Sequence, residues 1–442
     1  MRKFHGARAL SLIHRSWRMR ASRTFSHSLT RSLSTHAPSP FDPSPEHRHL
    51  REVVRDFAEA EVDPQAQEFN KEEKFNLKLF QRLGELGLLG VTVPEEYHGS
   101  GMDATAACII HEELAAADPA FTLSYLAHSI LFANNLARNG SEELKHAYLP
   151  KACSGELVGG MCMSEAEAGT DVLGMRTRAE QTGPEEFSIS GHKMWITNGT
   201  LDGSTTGDVF LVYASSKSPE ASSSSSSSKS FSLFLVEKGT RGFTLGQQIK
   251  NKCGMRASMT AELVFDDCRI PAKNLVGKEG NAVYCMMRNL ELERLCLAAM
   301  SCGIARRCVE TMARYARDRK AFGKPIGQFG QVQRLVADGY AKMSAGRAFL
   351  YSVAQKLKLD ADPSETNERM QTDAVKLFCG EMAKSVADSA MQVLGGNGYL
   401  ADYQVEQLWR DSKLLEIGGG TNEAHQKNIM LDFLRKQVIE IP

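Results

Sequence analysis

The spacing of apolar positions along this chain changes twice. Between about residues 45 and 157 apolar side chains return every three or four positions over Arg48–Ala60, Leu77–Leu89, Ala104–Ala117 and Ser124–Arg138, the period that gathers them on one helix face. Gly99-Ser100-Gly101 and Asp118-Pro119 mark breaks between these stretches. From about 158 to 277 short β-branched or aromatic runs that end in turn residues take over, at Phe187–Gly191, Val209–Tyr213, Phe231–Val236 and Ala261–Phe265. Helical spacing returns over 281–317, 328–359, 367–393 and 402–413. The order predicts an α+β chain with a helical amino-terminal domain (42–157), a small central β domain (158–277) and a carboxy-terminal helical domain (278–442).

Two segments do not fit a packed domain. The uninterrupted run Ser222–Ser228 is too polar and repetitive to bury, which predicts a disordered loop over 215–230 between two strands. A phosphorylation tract is the less favoured alternative. At the amino terminus Arg2, Lys3, Arg8, Arg15, Arg18, Arg20, Arg23 and Arg31 precede the first acidic residue, Asp42, with Ser, Thr, Leu and Phe between them. That is the style of a mitochondrial transit peptide, expected to be disordered over residues 1–41 and to send the chain to the matrix.

Composition narrows the function. Lys+Arg and Asp+Glu both number 53, so no excess of positive charge points to nucleic acid or acidic membranes. The 10 cysteines form no C-x-x-C pair and no metal-ligand spacing with histidine, and read as reduced core thiols. No apolar run is long enough to cross a bilayer. Neither G-x-G-x-x-G after a strand nor G-x-x-x-x-G-K-[ST] occurs, so a bound dinucleotide would need another kind of cradle.

One carboxylate stands out. Met286, Leu290, Glu293, Leu297 and Met300 share a helix face, and Glu293 is the charge that interrupts it. Burial there disfavours the charged form and moves the carboxyl toward the range of a general base. The alternative is a stripe-edge glutamate paired with an arginine. Glu291 falls on another face beside Arg288 and Arg294, at spacings that suit solvated ion pairs.

Further motifs follow in a fixed order: Met161–Asp171 (MCMSEAEAGTD), Lys193–Asn198 (KMWITN), Arg319–Ile326 (RKAFGKPI), Gln392–Gly398 (QVLGGNG), Arg410–Lys413 and Gly418–Asn422 (GGGTN). Trp195 offers an apolar plane, and Ser164 and Thr197 offer hydroxyls. Gly395 and Gly396 let backbone N–H groups approach a phosphate, and Arg319 can neutralise one. Each also has a plainer reading, as turn chemistry, a core tryptophan or a surface cation. In order and spacing together, over everything after residue 45, the motifs resemble the acyl-CoA dehydrogenases.

The resemblance implies two helical domains flanking a β domain and a bound FAD. It implies that Met163, Ser164, Trp195 and Thr197 surround the isoalloxazine, and that Gly169 and Thr170 bring backbone near cofactor and substrate. Arg319, Phe322, Gln392 and Gly396 would act from a neighbouring subunit, with Gly395 also in the cofactor set, so at least a dimer and usually a tetramer is expected. Thr421 and Glu423 join the cofactor set; Thr170, Arg294, Gly418 and Gly419 join the acyl-CoA set. Many members carry their base just before the Gly-Thr near the chain's end, where this sequence has Gly419; its backbone N–H remains able to bond the thioester oxygen. The isovaleryl and long-chain branches place the base where Glu293 stands, with Glu416 as the competing position here. Leu123–Ser129, Arg138–Gly140, Asn251–Arg256 and Glu416–Gly418 resemble the isovaleryl branch, which implies oxidation of isovaleryl-CoA to 3-methylcrotonyl-CoA in leucine breakdown, with electrons passed to electron-transfer flavoprotein. The alternatives are another acyl chain, an oxidase, and a catalytically silent flavoprotein. Gly330 in place of a glutamine, Ala166 in place of a proline, and His425-Gln-Lys427 in place of a basic run depart from the pattern.

Overall fold

In the computed structural model, which describes residues 39–216, 230–360 and 368–435, the three textures become three layers around one helix. The leader up to residue 38 and residues 217–229, with the whole run Ser222–Ser228, lie outside the described residues. Residues 39–41, expected within the leader, are packed: the Phe41 ring lies edge-on 5.6 Å from Tyr351, with the Arg347 guanidinium 4.1 Å over its face.

The amino-terminal layer starts with α1 (Pro45–Phe57), capped by Ser44 Oγ accepting from His47 N–H. A widened turn at Ala58–Val62 leads into α2 (Asp63–Glu72), and α3 (Leu77–Glu85) is capped by Asn76. α4 (Ala104–Ala117) has the span its apolar period predicts. Asp118 then stops it and starts α5 (Pro119–Leu126), its carboxylate accepting from the Ala120 and Phe121 N–H groups with Pro119 in the first turn. Widened turns at Ala127–Asn134 carry α5 into α6 (Asn135–Asn139). α7 (Glu142–Ser154) follows, a helix with Pro150 inside that the sequence pattern does not predict.

The β layer is an eight-stranded sheet made of β1 (Gly159–Cys162), β2 (Arg178–Gly183), β3 (Glu186–Thr197), β4 (Val209–Ser216), β5 (Ser230–Glu237), β6 (Phe243–Gln248), β7 (Thr260–Pro271) and β8 (Leu275–Val276). Its order is β6-β7-β3-β2-β4-β5-β8, with β1 parallel to β4. β3 pairs antiparallel with β7, and the register slips between Lys193 and Ile196, a bulge that re-aims the side chains it contains.

The carboxy-terminal layer is built on α8 (Ala282–Asp318), 37 residues and so about 55 Å long. A hairpin of β9 (Lys320–Ala321) and β10 (Lys324–Pro325) leads to α9 (Gly330–Ala354), α10 (Arg369–Leu394), α11 (Val405–Ser412) and α12 (Asn422–Arg435). α8 packs against α4, α9 and α10, so one apolar core runs through both helical layers.

A buried ion cluster pins those layers. Glu112 accepts from Arg51 at 3.0 Å, Arg347 at 2.6 Å and the Tyr351 hydroxyl at 2.6 Å. Glu113 accepts from Arg51 at 2.6 Å and Arg306 at 2.7 Å. Burial opposes the charge on Glu112, but Arg347 and Arg51 outweigh it and hold the carboxyl at about 2. The helical and β layers are joined by His128, whose Nδ1 accepts from Gly159 N–H at 2.9 Å while Nε2 faces the Ala152 carbonyl at 3.0 Å. Asn198 adds two bonds, donating to the Ser124 and Gly159 carbonyls. All ten cysteines are free thiols. Among the described residues no cluster suits a metal, and no helix is long and apolar enough to cross a membrane.

Candidate active site

Glu293 lies on the buried face of α8, 6 % exposed, and its Oε2 has no hydrogen-bond partner. Burial pushes its carboxyl up to about 7, against the opposing pull of Arg294 and Lys376. The arginine pairing that its sequence position allowed does not form, because Arg294 faces Asp373, with Nε 3.4 Å from Oδ1. Glu291 departs from expectation too. It is half-buried and pushed up to about 7 by burial, while Arg288 donates to the Leu359 carbonyl.

Opposite Glu293 runs the triple-glycine turn before α12. A Cβ on Gly419 would lie 3.4 Å from Glu293 Oε1 and 2.1 Å from Leu297 Cδ1. Gly419 and Gly420 have φ of 65° and 98°, in the region that favours glycine. Lys376 Nζ donates to the Gly420 carbonyl at 2.6 Å, and His425 Nε2 lies 3.1 Å from the same oxygen. Thr421 Oγ1 accepts from Ala424 N–H at the start of α12; Glu423, next to it, is exposed. Glu416, the competing acid, is held by Lys413 at 2.6 Å.

Lys376 and Asp373 were missed in the sequence. Both are charges inside the apolar pattern of α10 beside Val375 and Cys379, the signal that singled out Glu293. Beyond Glu293, Asn135 donates to the buried Tyr213 hydroxyl at 3.2 Å. Met161, Met163 and Leu290 are partly buried against the same apolar cluster.

A second group forms a lip on the β layer. Lys193, fully buried, donates to the Met163 carbonyl at 2.9 Å and to Glu165 at 3.0 Å, and the Ser164 carbonyl accepts from Met194 N–H. The loop after β1 is therefore tied to the β3 bulge. Trp195 sits in that bulge with φ of 61° and is 52 % exposed. A left-handed backbone is unusual for so bulky a residue. Thr197 ends the strand, half-buried, while Gly169 and Thr170 are exposed on the loop.

A third group stands apart. Arg319 and Phe322 lie on the β9–β10 hairpin, where Phe322 is 94 % exposed with φ of 51°. Gln392, Gly395 and Gly396 end α10, beside a recess lined with Asp388, Met391 and Tyr399. The Tyr315 hydroxyl, accepting from Asn397, links the two places. Among the described residues no hydrogen bond or ion pair joins this group to the Trp195 lip. No atom lies within 4 Å of a Cβ built on Gly330, Gly395 or Gly396.

The chain matches the acyl-CoA dehydrogenase amino-terminal domain over residues 44–156, the middle domain over 160–268 and the carboxy-terminal domain over 281–434. It belongs to the acyl-CoA dehydrogenase family. Isovaleryl-CoA dehydrogenase of Arabidopsis thaliana is 39 % identical over 88 % of this chain and 91 % of its own length. The 2-methylacyl-CoA dehydrogenase of Solanum tuberosum is 36 % identical over the same shares of each, 88 % and 91 %. Butyryl-CoA dehydrogenase from Megasphaera elsdenii superimposes with a TM-score of 0.81 at 29 % identity, covering 89 % of this chain and 99 % of that one. The protein is thus an FAD-dependent acyl-CoA dehydrogenase.

Proposed function

We propose that this enzyme oxidises a short branched acyl-CoA, isovaleryl-CoA above all, to the 2-enoyl thioester in the mitochondrial matrix, with electron-transfer flavoprotein as its electron acceptor and a homotetramer as the working form. The observation that carries the reading is Glu293: a buried carboxylate, one oxygen unpartnered, facing a turn with no side chain. Ionised, it takes the α-proton of the acyl group. The Gly419 N–H receives the thioester oxygen as negative charge develops there, an interaction that strengthens toward the transition state. The wall behind, with Met161, Met163, Leu290 and Leu297, is apolar and excludes water.

The residues present fit a flavin. An exposed indole on a left-handed backbone and open space over Gly169 supply one face. Met163, Ser164, Thr170 and Thr197 would hold the ring there. Arg319, Phe322, Gln392, Gly395 and Gly396 of a neighbouring subunit would hold the phosphates and adenosine, with Thr421 and Glu423 nearby. Bound FAD supplies the two-electron acceptor for the hydride that leaves the β-carbon. Isovaleryl- and 2-methylacyl-CoA dehydrogenases among the relatives, five of the former bearing mitochondrial names, support both substrate branch and compartment. A 2-methyl-branched thioester is the second reading.

Anaerobic mixing of the purified protein with isovaleryl-, 2-methylbutyryl-, butyryl- and palmitoyl-CoA, followed by flavin absorbance, tests this. Fast bleaching by isovaleryl-CoA is expected; bleaching by palmitoyl-CoA alone would move the enzyme to the long-chain branch.

A further inference from the structure

We propose that Lys376 and His425 are positioning residues for the thioester: together they hold the Gly420 carbonyl, and through it the turn that aims the Gly419 N–H. The inference rests on the reading of Gly419 as the thioester's donor.

Three successive glycines make the most pliable backbone a chain can have. An N–H that must meet a developing oxyanion needs the opposite, a donor fixed before the reaction. The turn is held from outside. Lys376 Nζ, from α10, and His425 Nε2, from α12, converge on one carbonyl oxygen at 2.6 and 3.1 Å. Lys376 is 1 % exposed, and that carbonyl is its only hydrogen-bond acceptor among the described residues. A buried ammonium with no carboxylate in contact is a costly way to brace a turn, which points to a role beyond packing. His425 is buried as well, and its Nδ1 faces the Asp373 carboxylate. Asp373 is also faced by Arg294, the neighbour of Glu293 on α8. With an acceptor at each ring nitrogen, the imidazole donates to both only when protonated; neutral, it has a single N–H, which holds the Gly420 carbonyl in the Nε2–H tautomer. Burial and the charges of Lys376 and Arg294 oppose that proton, while Asp373 favours it. The ammonium of Lys376 in turn favours the ionised form of Glu293 across the turn. The charged groups around Lys376 include Glu293 and Arg294 of α8, Asp373 of α10, Glu416 of the turn after α11, and Glu423 and His425 of α12.

The test uses the flavin-loaded enzyme and the acyl-CoA that reduces the wild type. Lys376→Met and His425→Phe remove each donor, whereas Lys376→Arg and His425→Gln retain one. Three readouts are compared at matched flavin content and thermal midpoint: kcat against KM, the pH dependence of kcat, and the pH at which bound acetoacetyl-CoA becomes its enolate. Each donor-less variant is expected to lose about 10- to 100-fold in kcat, with KM within about threefold. The enolate should form at higher pH, and the donor-retaining variants should recover most of the loss. For Lys376→Met the acidic limb of kcat should also move to higher pH. If one donor-less variant fails to fold, the other decides. Wild-type kcat and an unmoved enolate pH in a folded donor-less variant overturn the inference, as does a loss of kcat that neither donor-retaining variant repairs. A wild type that no acyl-CoA reduces overturns the functional reading and this inference with it, whereas a reducible wild type with indifferent variants overturns the inference alone.

Discussion

Gly419 stands against Glu293 so closely that a Cβ there would lie 3.4 Å from the carboxylate's Oε1. The same Cβ would press on Leu297 Cδ1 at 2.1 Å, the mobile end of a flexible side chain. Gly419→Ala is therefore expected to keep activity within about tenfold but to lower stability, because Leu297 must turn away at a cost of about 1 kcal/mol and a Cβ at the left-handed φ of 65° adds about 1–2 kcal/mol. Gly419→Glu should be nearly inactive, since a second carboxylate would meet the first. Adding Glu293→Gly to it should restore part of the turnover, and steady-state kinetics of the three variants check this.

Glu293→Gln should retain flavin and lose about 10³-fold or more in kcat, the order expected of a lost general base. In the wild type the base works only when ionised. With its carboxyl at about 7, kcat should rise with pH through that value and level off above it, and no such limb should remain in Glu293→Gln.

The same carboxyl also bears on stability. Its ordinary value is 4.5 and its folded value about 7, so between them the native state binds a proton that the unfolded chain has released. Stability from this group is full below 4.5 and falls as pH rises to about 7. Above that, Glu293→Gln is expected to be more stable than the wild type by on the order of 3 kcal/mol, an advantage that shrinks toward pH 5. Denaturant melts of both proteins at pH 5 and pH 8 would show it.

Glu112→Ala strips a fully buried cluster of the acceptor shared by Arg51, Arg347 and Tyr351. Uncompensated buried cations cost about 3–5 kcal/mol. A calorimetric midpoint well below the wild type's is expected, with kcat per bound flavin close to unchanged in the protein that remains folded.

Lys193→Met cuts the tie between the loop after β1 and the β3 bulge. The Trp195 lip should loosen, and flavin affinity should fall by about tenfold. Flavin released on dilution, read by fluorescence, measures the effect.

What the sequence discloses depends on whether the deciding interaction is local. α4 keeps its predicted ends because Asp103 and Asp118 cap and stop it within a few residues. The burial of Glu293 was legible because a helix face is a fixed geometric object. β1 was not legible: Gly159-Gly160 has little strand preference, and its conformation comes from parallel pairing with β4, fifty residues away. α7 was hidden by its charged residues and Pro150. The ring of Arg294, Asp373, Lys376 and His425 brings together α8, α10 and α12, and only the tertiary packing defines it.

The hydrogen bonds of His128 and Asn198 to Gly159 have a consequence for how tightly an acyl chain can be held. They rivet the helix that supplies Asn135 to the strand that supplies Met161. The wall beyond Glu293 that carries Asn135 and Met161 is thus a fixed mould, not a hinge between two domains. An acyl group entering it does not have to draw those walls together, so little of its contact energy is diverted into ordering the protein. For the branched acyl group proposed above, a chain that does not match that mould would have to be turned away by its shape, because the wall does not adjust to it.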